Sequence, residues 1–472
     1  MAYATMSPAA IALAIALATP LPAHAAEPAP DVGSRLAEME RRLQAQEQQL
    51  EAQRQEITRL RETRDENQRA QREVADYETL IDTALKDAQT RTSLQDGGMV
   101  AGVRGKQFVV GSGDGRFELR VDGGVQIRYV GAIQTGSGGP DGDVNDTGFD
   151  IRRTRLNFEG NVVDPRLIYQ ARLDASRGAS QVQSDAIMLG LKLADGVLIY
   201  GGQVKGPFNR EEMASAFDQL AAERTLVNEV TNIGFVQGGG LELTFADVFR
   251  SRTLIHDGSL SGEGNEKGFE QGDTDIAVSS RLDLMLMGDQ WSQWSRFGDF
   301  RGGDNVFVGG GFHYEVGESQ DPASAIESRV GATADGSFQV QGVHAFASYT
   351  FFQTNRRHAS PNNTFHGVVG QAAFQLLPDL VEPFARFEFL HTGKGVRGSL
   401  GQTELFIYTV GANVFIHSAA RLTIDVSYTP DRIPAPADLG ISDGTLGGVG
   451  FREDSDNADG QVLLRVLVSV KL

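Results

Sequence analysis

The stretch FDIRRTRLNFEGNV, residues 149–162, decides the class of fold that the chain adopts. Its alternate positions separate into a charged and polar set, Arg153, Arg155, Asn157 and Glu159, and a mostly apolar set, Thr154, Leu156, Phe158, Gly160 and Val162. Successive side chains of a strand point to opposite faces of its sheet. The pattern therefore predicts a strand with water against one face and either a protein core or lipid against the other.

The same alternation recurs along the chain beyond about residue 106, in segments of about ten residues, the length that a tilted strand needs to span a bilayer. Short connections such as residues 163–165 alternate with long polar ones such as residues 257–275. Dividing the roughly 365 remaining residues by about 23 per strand and connection gives about 16 strands. The sequence predicts an all-β fold, a transmembrane antiparallel β-barrel. A secreted all-β repeat protein is the alternative.

The start of the chain is predicted to direct export. Residues 1–26 have the features of a secretory signal peptide, with an apolar run followed by the small residues Ala23 and Ala25, although no Lys or Arg precedes the run. The chain contains no Cys, so no disulfide is expected to hold the exported protein together.

Residues 34–90 differ in character from the rest of the chain. They predict an N-terminal α-helical coiled coil, because Leu36, Leu43 and Leu50 follow one another at heptad spacing. A solvated single helix is the alternative. The glycines that follow predict a flexible linker over residues 91–112, which leaves residues 113–472 for the barrel.

Basic residues of the predicted strands lie on the polar face by parity. A Lys or Arg facing lipid near the midplane would cost about 2 to 4 kcal/mol, so these residues are expected to face a water-filled lumen. The candidate lining residues are Arg128, Arg153, Arg155, Arg172, Lys192 and Lys205. Acids on the same faces are fewer, mainly Glu118, Glu159 and Asp174. Because guanidinium and ammonium groups stabilise partly desolvated anions, the lumen is predicted to favour anions.

Other classes of function are disfavoured. The net charge of −19 argues against a nucleic-acid partner, which would require a basic surface. The eight His residues show no metal-ligand spacing, and no nucleophile elbow or paired-carboxylate arrangement occurs. We therefore expect no enzyme activity, no catalytic residue, no metal site and no cofactor.

One long connection, residues 206–238, has a structure of its own. It begins with Pro207, and Met213, Phe217 and Leu220 are spaced like one face of a helix. Such a segment either folds inward and narrows the pore or caps the outside. The sequence leaves both possibilities open.

Several motifs resemble one family of bacterial outer-membrane channels. They are DIRRTRLNFEGNV at 150–162, YQARLD at 169–174, GLKLADGVLIYGGQVKGPFNREEM at 190–213, AERTL at 222–226 and QLLPDLVEPFARFEF at 375–389. The chain resembles the phosphate-selective porin O and P family over roughly residues 113–472. The resemblance implies a trimer of 16-stranded barrels, with loops folded into each pore and an arginine-rich path for anions. Arg153, Arg155 and Lys205 match motif positions, whereas Arg128, Arg172 and Lys192 rest on parity alone.

The sequence thus predicts an outer-membrane porin that lets small anions such as phosphate or polyphosphate diffuse passively. Its expected partners are outer-membrane lipid, lipopolysaccharide, the anionic solutes and two further copies in a homotrimer, with the coiled coil in the periplasm. The alternatives are a general porin with little selectivity and a structural tether that joins the outer membrane to the cell wall through the coiled coil.

Overall fold

A computed structural model describes residues 98–136, 145–175, 182–259, 274–298, 303–317, 326–357, 362–377, 380–393, 403–453 and 458–471. The strands within these ranges form one antiparallel sheet. Its strands are β1 (Met99–Arg104), β2 (Gln107–Ser112), β3 (Glu118–Gly136), β4 (Asn145–Val162), β5 (Asp164–Asp174), β6 (Gln183–Ala194), β7 (Val197–Lys205), β8 (Phe235–Phe245), β9 (Phe249–His256), β10 (Thr274–Met287), β11 (Asn305–Gly317), β12 (Ile326–Val340), β13 (Val343–Arg356), β14 (Asn363–Phe374), β15 (Val381–Thr392), β16 (Glu404–His417), β17 (Ala420–Thr429) and β18 (Ala458–Lys471).

Strands β3 to β18 close into a barrel. Each pairs with its neighbour in the chain, and β18 returns to pair with β3, so that Arg465 lies opposite Val130 and Lys471 opposite Gly124. Closure removes the free edges that an open sheet would expose to lipid. Within the described part of the chain the ring has sixteen strands, which confirms the predicted barrel and its strand number.

The connections differ at the two ends of the barrel. One end, the short-turn rim, carries tight turns such as the one at Gln341 and Gly342, where both residues have positive φ, as a two-residue hairpin between twisted strands requires. The opposite end, the long-loop rim, carries the longer connections, including residues 206–234 and 430–457. In the regions that the structure covers, no helix is both long and apolar enough to cross a membrane.

Side chains of β10 to β18 alternate between a buried inner face and an outer face that is more exposed and largely apolar. On the inner face Arg281, Asp425 and Arg465 are at most 1% exposed. The outer face carries exposed apolar groups such as Phe312 and Val410, which suits contact with lipid.

The helices are short and lie in the connections. They are α1 (Arg210–Met213), α2 (Leu226–Thr231), α3 (Pro436–Leu439) and α4 (Asp443–Val449), with 3₁₀ turns at Ala216–Asp218 and Trp291–Ser295. Apolar residues of these connections pack together with inward-facing residues of the barrel wall, as Leu220, Leu446 and Phe451 do with Phe384 and Leu463. The hydrophobic core therefore lies inside the barrel, beneath the infolded loops.

Part of the predicted flexible linker is structured. Residues 99–112 form the hairpin of β1 and β2, and β2 extends the sheet by pairing with the start of β3, with Phe108 opposite Val121. Backbone groups of the hairpin are satisfied by strand pairing, a long-range contact that the local glycine content does not reveal. The signal peptide and the coiled coil lie outside the described residues, so both remain predictions.

Candidate pore constriction

Residues 206–234, hereafter the constriction segment, leave β7 at the long-loop rim and return to β8. Backbone groups of the segment contact inner-face side chains around the ring: Asn413 Nδ2 donates to Leu220 O at 3.0 Å, Gln126 Nε2 donates to Ala216 O at 3.4 Å, and Arg281 Nη1 donates to Phe208 O at 2.9 Å. A segment that touches β3, β10 and β16 of one closed ring must lie inside it. The question that the sequence left open is answered: the segment folds into the pore.

Local sequence explains the two turns that shape the segment. Ser215 and Thr225 precede the 3₁₀ turn and α2, and their hydroxyl groups accept hydrogen bonds from Phe217 N and Asn228 N, as N-cap side chains do. Leu226 and Val227 of α2 are buried. The segment thus has its own N-capped turns and an apolar face that is buried.

Glu223 fixes the middle of the segment to β3 and β4. Its Oε1 accepts from Arg128 Nη1 at 2.8 Å and from Arg152 Nε at 2.9 Å, and its Oε2 accepts from Arg153 Nη2 at 2.7 Å. Burial alone would raise the pKa of Glu223, but the guanidinium groups of Arg152, Arg153 and Arg128 hold this pKa well below its ordinary value. One carboxylate therefore serves as the anchor for three cationic side chains.

The opposite side of the segment is anchored by acids of the barrel wall. Asp425 Oδ2 accepts a hydrogen bond from Ala222 N at 2.8 Å, and Glu388 Oε2 accepts one from Leu226 N at 2.7 Å. Charge-assisted hydrogen bonds of this kind are stronger than neutral ones. The segment is therefore attached to two sides of the barrel.

Lys205, at the base of the segment, forms an ion pair with Glu212. The Nζ to Oε1 distance is 3.1 Å, and Arg224 Nε approaches Glu212 Oε2 at 3.3 Å. Burial alone would raise the pKa of Glu212, yet these two cations lower it to about 2. Burial, and then repulsion by Glu212, raise the pKa of Glu229 to about 7. Glu229 is thus a carboxyl group of the segment that changes charge near neutral pH.

Facing the segment is a part of the lumen that water still reaches, the inner face of β4 to β8, hereafter the open wall. Arg155 Nε lies 2.6 Å from Asp174 Oδ2, and Arg172 Nη2 lies 3.0 Å from Asp185 Oδ2. The side chains of Arg155 and Arg172 are 12% and 15% exposed. The inner face of β10 to β18, hereafter the covered wall, is by contrast buried beneath the infolded connections.

The structure brings five of the six predicted lining residues to this region. Arg128 and Arg153 are buried and hold Glu223, whereas Arg155, Arg172 and Lys205 line the open wall. Lys192 does not join them, because it is exposed and pairs with Leu198 two residues from the end of β6 at the short-turn rim. Which of these residues meets a solute remains a prediction.

The lumen contains more acidic residues than the alternation of side chains in the early strands predicted. Within the described residues, seven cationic groups of this region lie beside seven carboxyl groups. The cations are Arg128, Arg152, Arg153, Arg155, Arg172, Lys205 and Arg224, and the carboxyl groups belong to Asp150, Asp174, Asp185, Glu211, Glu212, Glu223 and Glu229. Four of the acids lie in the constriction segment, outside the strands on which parity operates. The cations of this region are therefore not in excess over its carboxyl groups.

Arg152 is a lumen residue that strict alternation missed. A β-bulge shifts the register of β3 and β4 between Gln126 and Ile127, so that Gln126 faces Arg153 while Ile127 faces Ile151. The extra residue lets Arg152 and Arg153 reach Glu223 together, and it returns Phe149 to the outer face, where it is 81% exposed. Two adjacent arginines within an otherwise alternating strand were the available signal.

The chain is similar to known outer-membrane channels in part of its sequence and in its fold. Residues 120–267 match the family model described as phosphate-selective porin O and P. The fold is similar to an anion-selective porin from Comamonas acidovorans, with 9% identity and a TM-score of 0.51 over 75% of this chain and 99% of the other. The outer membrane channel DcaP of Acinetobacter baumannii gives 11% identity and a TM-score of 0.48 over 75% and 97%. No curated protein sequence matches the chain.

The family match contains β4, Lys205 and the constriction segment, which carry most of the motifs that indicated the resemblance. A closed barrel with a polar inner face and an apolar outer face is the form in which β-strands cross an outer membrane. The match confirms, over residues 120–267, the predicted relationship to the phosphate-selective porin O and P family, and the chain is an outer-membrane porin.

Proposed function

We propose that the channel conducts small anions, such as phosphate or polyphosphate, by passive diffusion in preference to cations. The observation that carries the proposal is the position of Arg155, Arg172 and Lys205, which remain partly exposed where the constriction segment narrows the lumen. Fixed cations beside a narrow path lower the free energy of an anion there and raise that of a cation. Solutes would cross down their gradients without a cofactor or chemical turnover.

A general porin with little selectivity is the competing function. It is favoured by the ion pairing of the same cations with Asp174, Asp185 and Glu212, which reduces their net field. Salt in a water-filled pore reduces that field further. The two functions differ in the sign and size of the charge preference, not in the fold.

The reversal potential under a salt gradient separates these two functions. The purified protein in a planar bilayer should give the sign of an anion-preferring pore, and Arg155→Gln and Arg172→Gln should each move the potential toward zero. Arg116→Gln is the matched control, because Arg116 is an exposed arginine of the connection before β3. A cation preference of the unmodified channel would exclude the proposal, and a potential close to zero would favour the general porin.

The assembly proposed for the channel is a homotrimer in the outer membrane, with lipid and lipopolysaccharide around its apolar outer face and the predicted coiled coil of residues 34–90 in the periplasm. The family resemblance and the heptad spacing of that segment support this assembly. The mass of the detergent-solubilised full-length protein tests it, since a monomeric mass would contradict a trimer. The structural tether stays an alternative role of the coiled coil, and deleting that segment would then alter envelope spacing without altering conductance.

A further inference from the structure

The connection between β10 and β11 is long for the short-turn rim, and residues 288–298 of it fold into the barrel. Trp294 and Phe297 are buried in the lumen. Phe297 N donates to Asp218 O at 3.0 Å and Arg210 Nη2 donates to Trp294 O at 2.7 Å, so this inward turn meets the constriction segment from the other end of the barrel.

Four guanidinium groups surround the indole of Trp294. The Cζ atoms of Arg210, Arg250, Arg252 and Arg281 lie 5.2, 4.6, 4.8 and 5.3 Å from the centre of its ring. Their ion-pair partners among the described residues are Asp283, Asp335 and Glu242. The cluster therefore holds four cations against three carboxylates, and indole rings favour such cations without neutralising them.

Of the four guanidinium groups, Arg250 has the most buried nitrogen atoms without a hydrogen-bond partner among the described residues, two against one each for Arg210 and Arg252. It is 9% exposed, and its Nε and Nη2 have no hydrogen-bond partner within the described residues. The nearest carboxylate oxygen, Asp283 Oδ2, has no hydrogen-bond partner among the described residues; it lies 3.8 Å from Nη2, within ion-pair range but too far for a hydrogen bond. The other oxygen of Asp283 already accepts from Arg281 Nε and Trp294 Nε1, each at 2.9 Å.

Trp291 supplies a further donor at the same place. Its ring centre is 4.2 Å from Arg250 Cζ, and its buried Nε1 also has no partner in the described structure. Buried donors of folded proteins nearly always have an acceptor. The unpartnered N–H groups of Arg250 and Trp291 lie beside an excess of positive charge. The oxygens of a small anion would accept hydrogen bonds from these groups and balance that charge.

We infer that Arg250 and Trp291, with Arg252 beside them, form a binding subsite for an oxyanion, the phosphate or carboxylate group of a permeating solute. The subsite lies at the short-turn rim, because β9 begins at Phe249 directly after a tight turn. The side chains of Arg252 and Glu242 beside it are 14% and 32% exposed. The inference rests on the proposed anion channel. It adds a second anion-binding position, separate from the one proposed at Arg155 and Arg172.

Tryptophan fluorescence reports on anion binding at this subsite, because Trp291 and Trp294 are the two tryptophans of the whole chain. The purified full-length protein in detergent is titrated with inorganic phosphate at constant ionic strength set by sodium chloride. A saturable change in emission is expected with phosphate, and a parallel titration with acetate shows whether a carboxylate occupies the same place. No saturable change with either anion would overturn the inference.

Three variants assign the signal to the subsite. Arg250→Gln is expected to raise the phosphate midpoint about tenfold, through the loss of charge-assisted hydrogen bonds. Trp291→Phe retains an aromatic ring, removes the Nε1–H donor and leaves Trp294 as the fluorescent reporter. It should raise the phosphate midpoint by a smaller factor, because a neutral donor is lost and not a charged one. Arg120→Gln, at another lumenal arginine near the same rim, should leave the midpoint unchanged. Should Arg250→Gln fail to fold, Trp291→Phe alone decides, and an unchanged midpoint in it would overturn the inference.

The emission titration measures binding without current, so the two proposals fail separately. A channel with an anion-selective reversal potential and no saturable emission change would contradict the subsite alone. A saturable, Arg250-dependent change in a channel that prefers cations would contradict the proposed function alone.

Discussion

The covered wall and the open wall carry the same kinds of ion pair, yet they differ in how much water reaches them. Arg465 and Asp425 on the covered wall are fully buried, with Nε and Oδ1 2.6 Å apart. Arg172 and Asp185 on the open wall are 15% and 20% exposed at a distance of 3.0 Å. Breaking a buried pair leaves an uncompensated charge, whereas a hydrated pair exchanges its partner for water. The covered wall therefore supports the fold, and we expect variants of the open wall to change the charge of the lumen at little cost in stability.

The largest effect is expected on the covered wall. Asp425→Asn removes the carboxylate from Arg465 and weakens the acceptor for Ala222 N, and it should lower the free energy of unfolding by about 3 to 5 kcal/mol. Urea unfolding in detergent measures this difference. Asp185→Asn on the open wall is the matched control and should cost about 1 kcal/mol or less. Equal losses for the two variants would contradict the distinction between the walls.

The second prediction concerns the anchor of the constriction segment. Glu223→Gln removes the charge that Arg128, Arg152 and Arg153 share, and it should weaken the attachment by about 1.5 to 3 kcal/mol. The segment should then leave its position more often, so single-channel recordings should show larger and noisier conductance. Glu118→Gln, an acid near the short-turn rim, is the control. A conductance trace identical to that of the unmodified channel would show that Glu223 does not hold the segment.

A third prediction concerns charge preference on the open wall. Asp185 pairs with both Arg155 and Arg172, so Asp185→Asn should increase the positive field of both and shift the reversal potential further toward anions. Because the pair is partly hydrated, the variant should keep its stability within about 1 kcal/mol of the unmodified protein. A shift toward cations would mean that these arginines do not face the permeation path.

The smallest effect is expected from pH. The pKa of Glu229 is raised to about 7, so its carboxyl group is neutral below that pH and negative above it. Raising the pH from about 5.5 to about 8.5 should therefore reduce the anion preference. Glu229→Gln should flatten the profile and keep the low-pH preference throughout. If the anion preference of Glu229→Gln depends on pH as steeply as that of the unmodified channel, another group is responsible for the titration.

The same shift of Glu229 sets the direction of its contribution to stability. Its pKa in the folded protein lies above the ordinary value of 4.5, so the folded state binds this proton more tightly than the unfolded state does. The contribution is fully present below about pH 4.5 and is lost as the pH rises through about 7.

Alternation along single strands was enough to predict the barrel, because the side-chain period of two is a local property. It placed Arg155 and Arg172 correctly on the inner face, since β4 and β5 pair regularly at both residues. The register shift beside Arg172 belongs to the pairing of β5 with β6, where the extra residue lies in β6. It missed Arg152 because a bulge depends on how β3 and β4 pair, which involves residues far apart in the chain.

The constriction could be predicted only in part. The composition of residues 206–238 indicated a structured connection, but its direction depends on the partners of Glu223, and these lie 70 to 95 residues earlier in the chain. The inward turn at Trp291 and Trp294 gave no periodic signal, because a single 3₁₀ turn is too short to show one.

The pairing of β18 with β3 has a consequence for biogenesis. The seam joins the earliest and latest strands of the ring, so the cylinder cannot be completed until the sequence between them has been delivered to the membrane. Before that moment the growing sheet has two unpaired margins, whose backbone groups lipid cannot satisfy. Insertion should therefore proceed as a concerted step or under the protection of an assembly factor that occupies those margins.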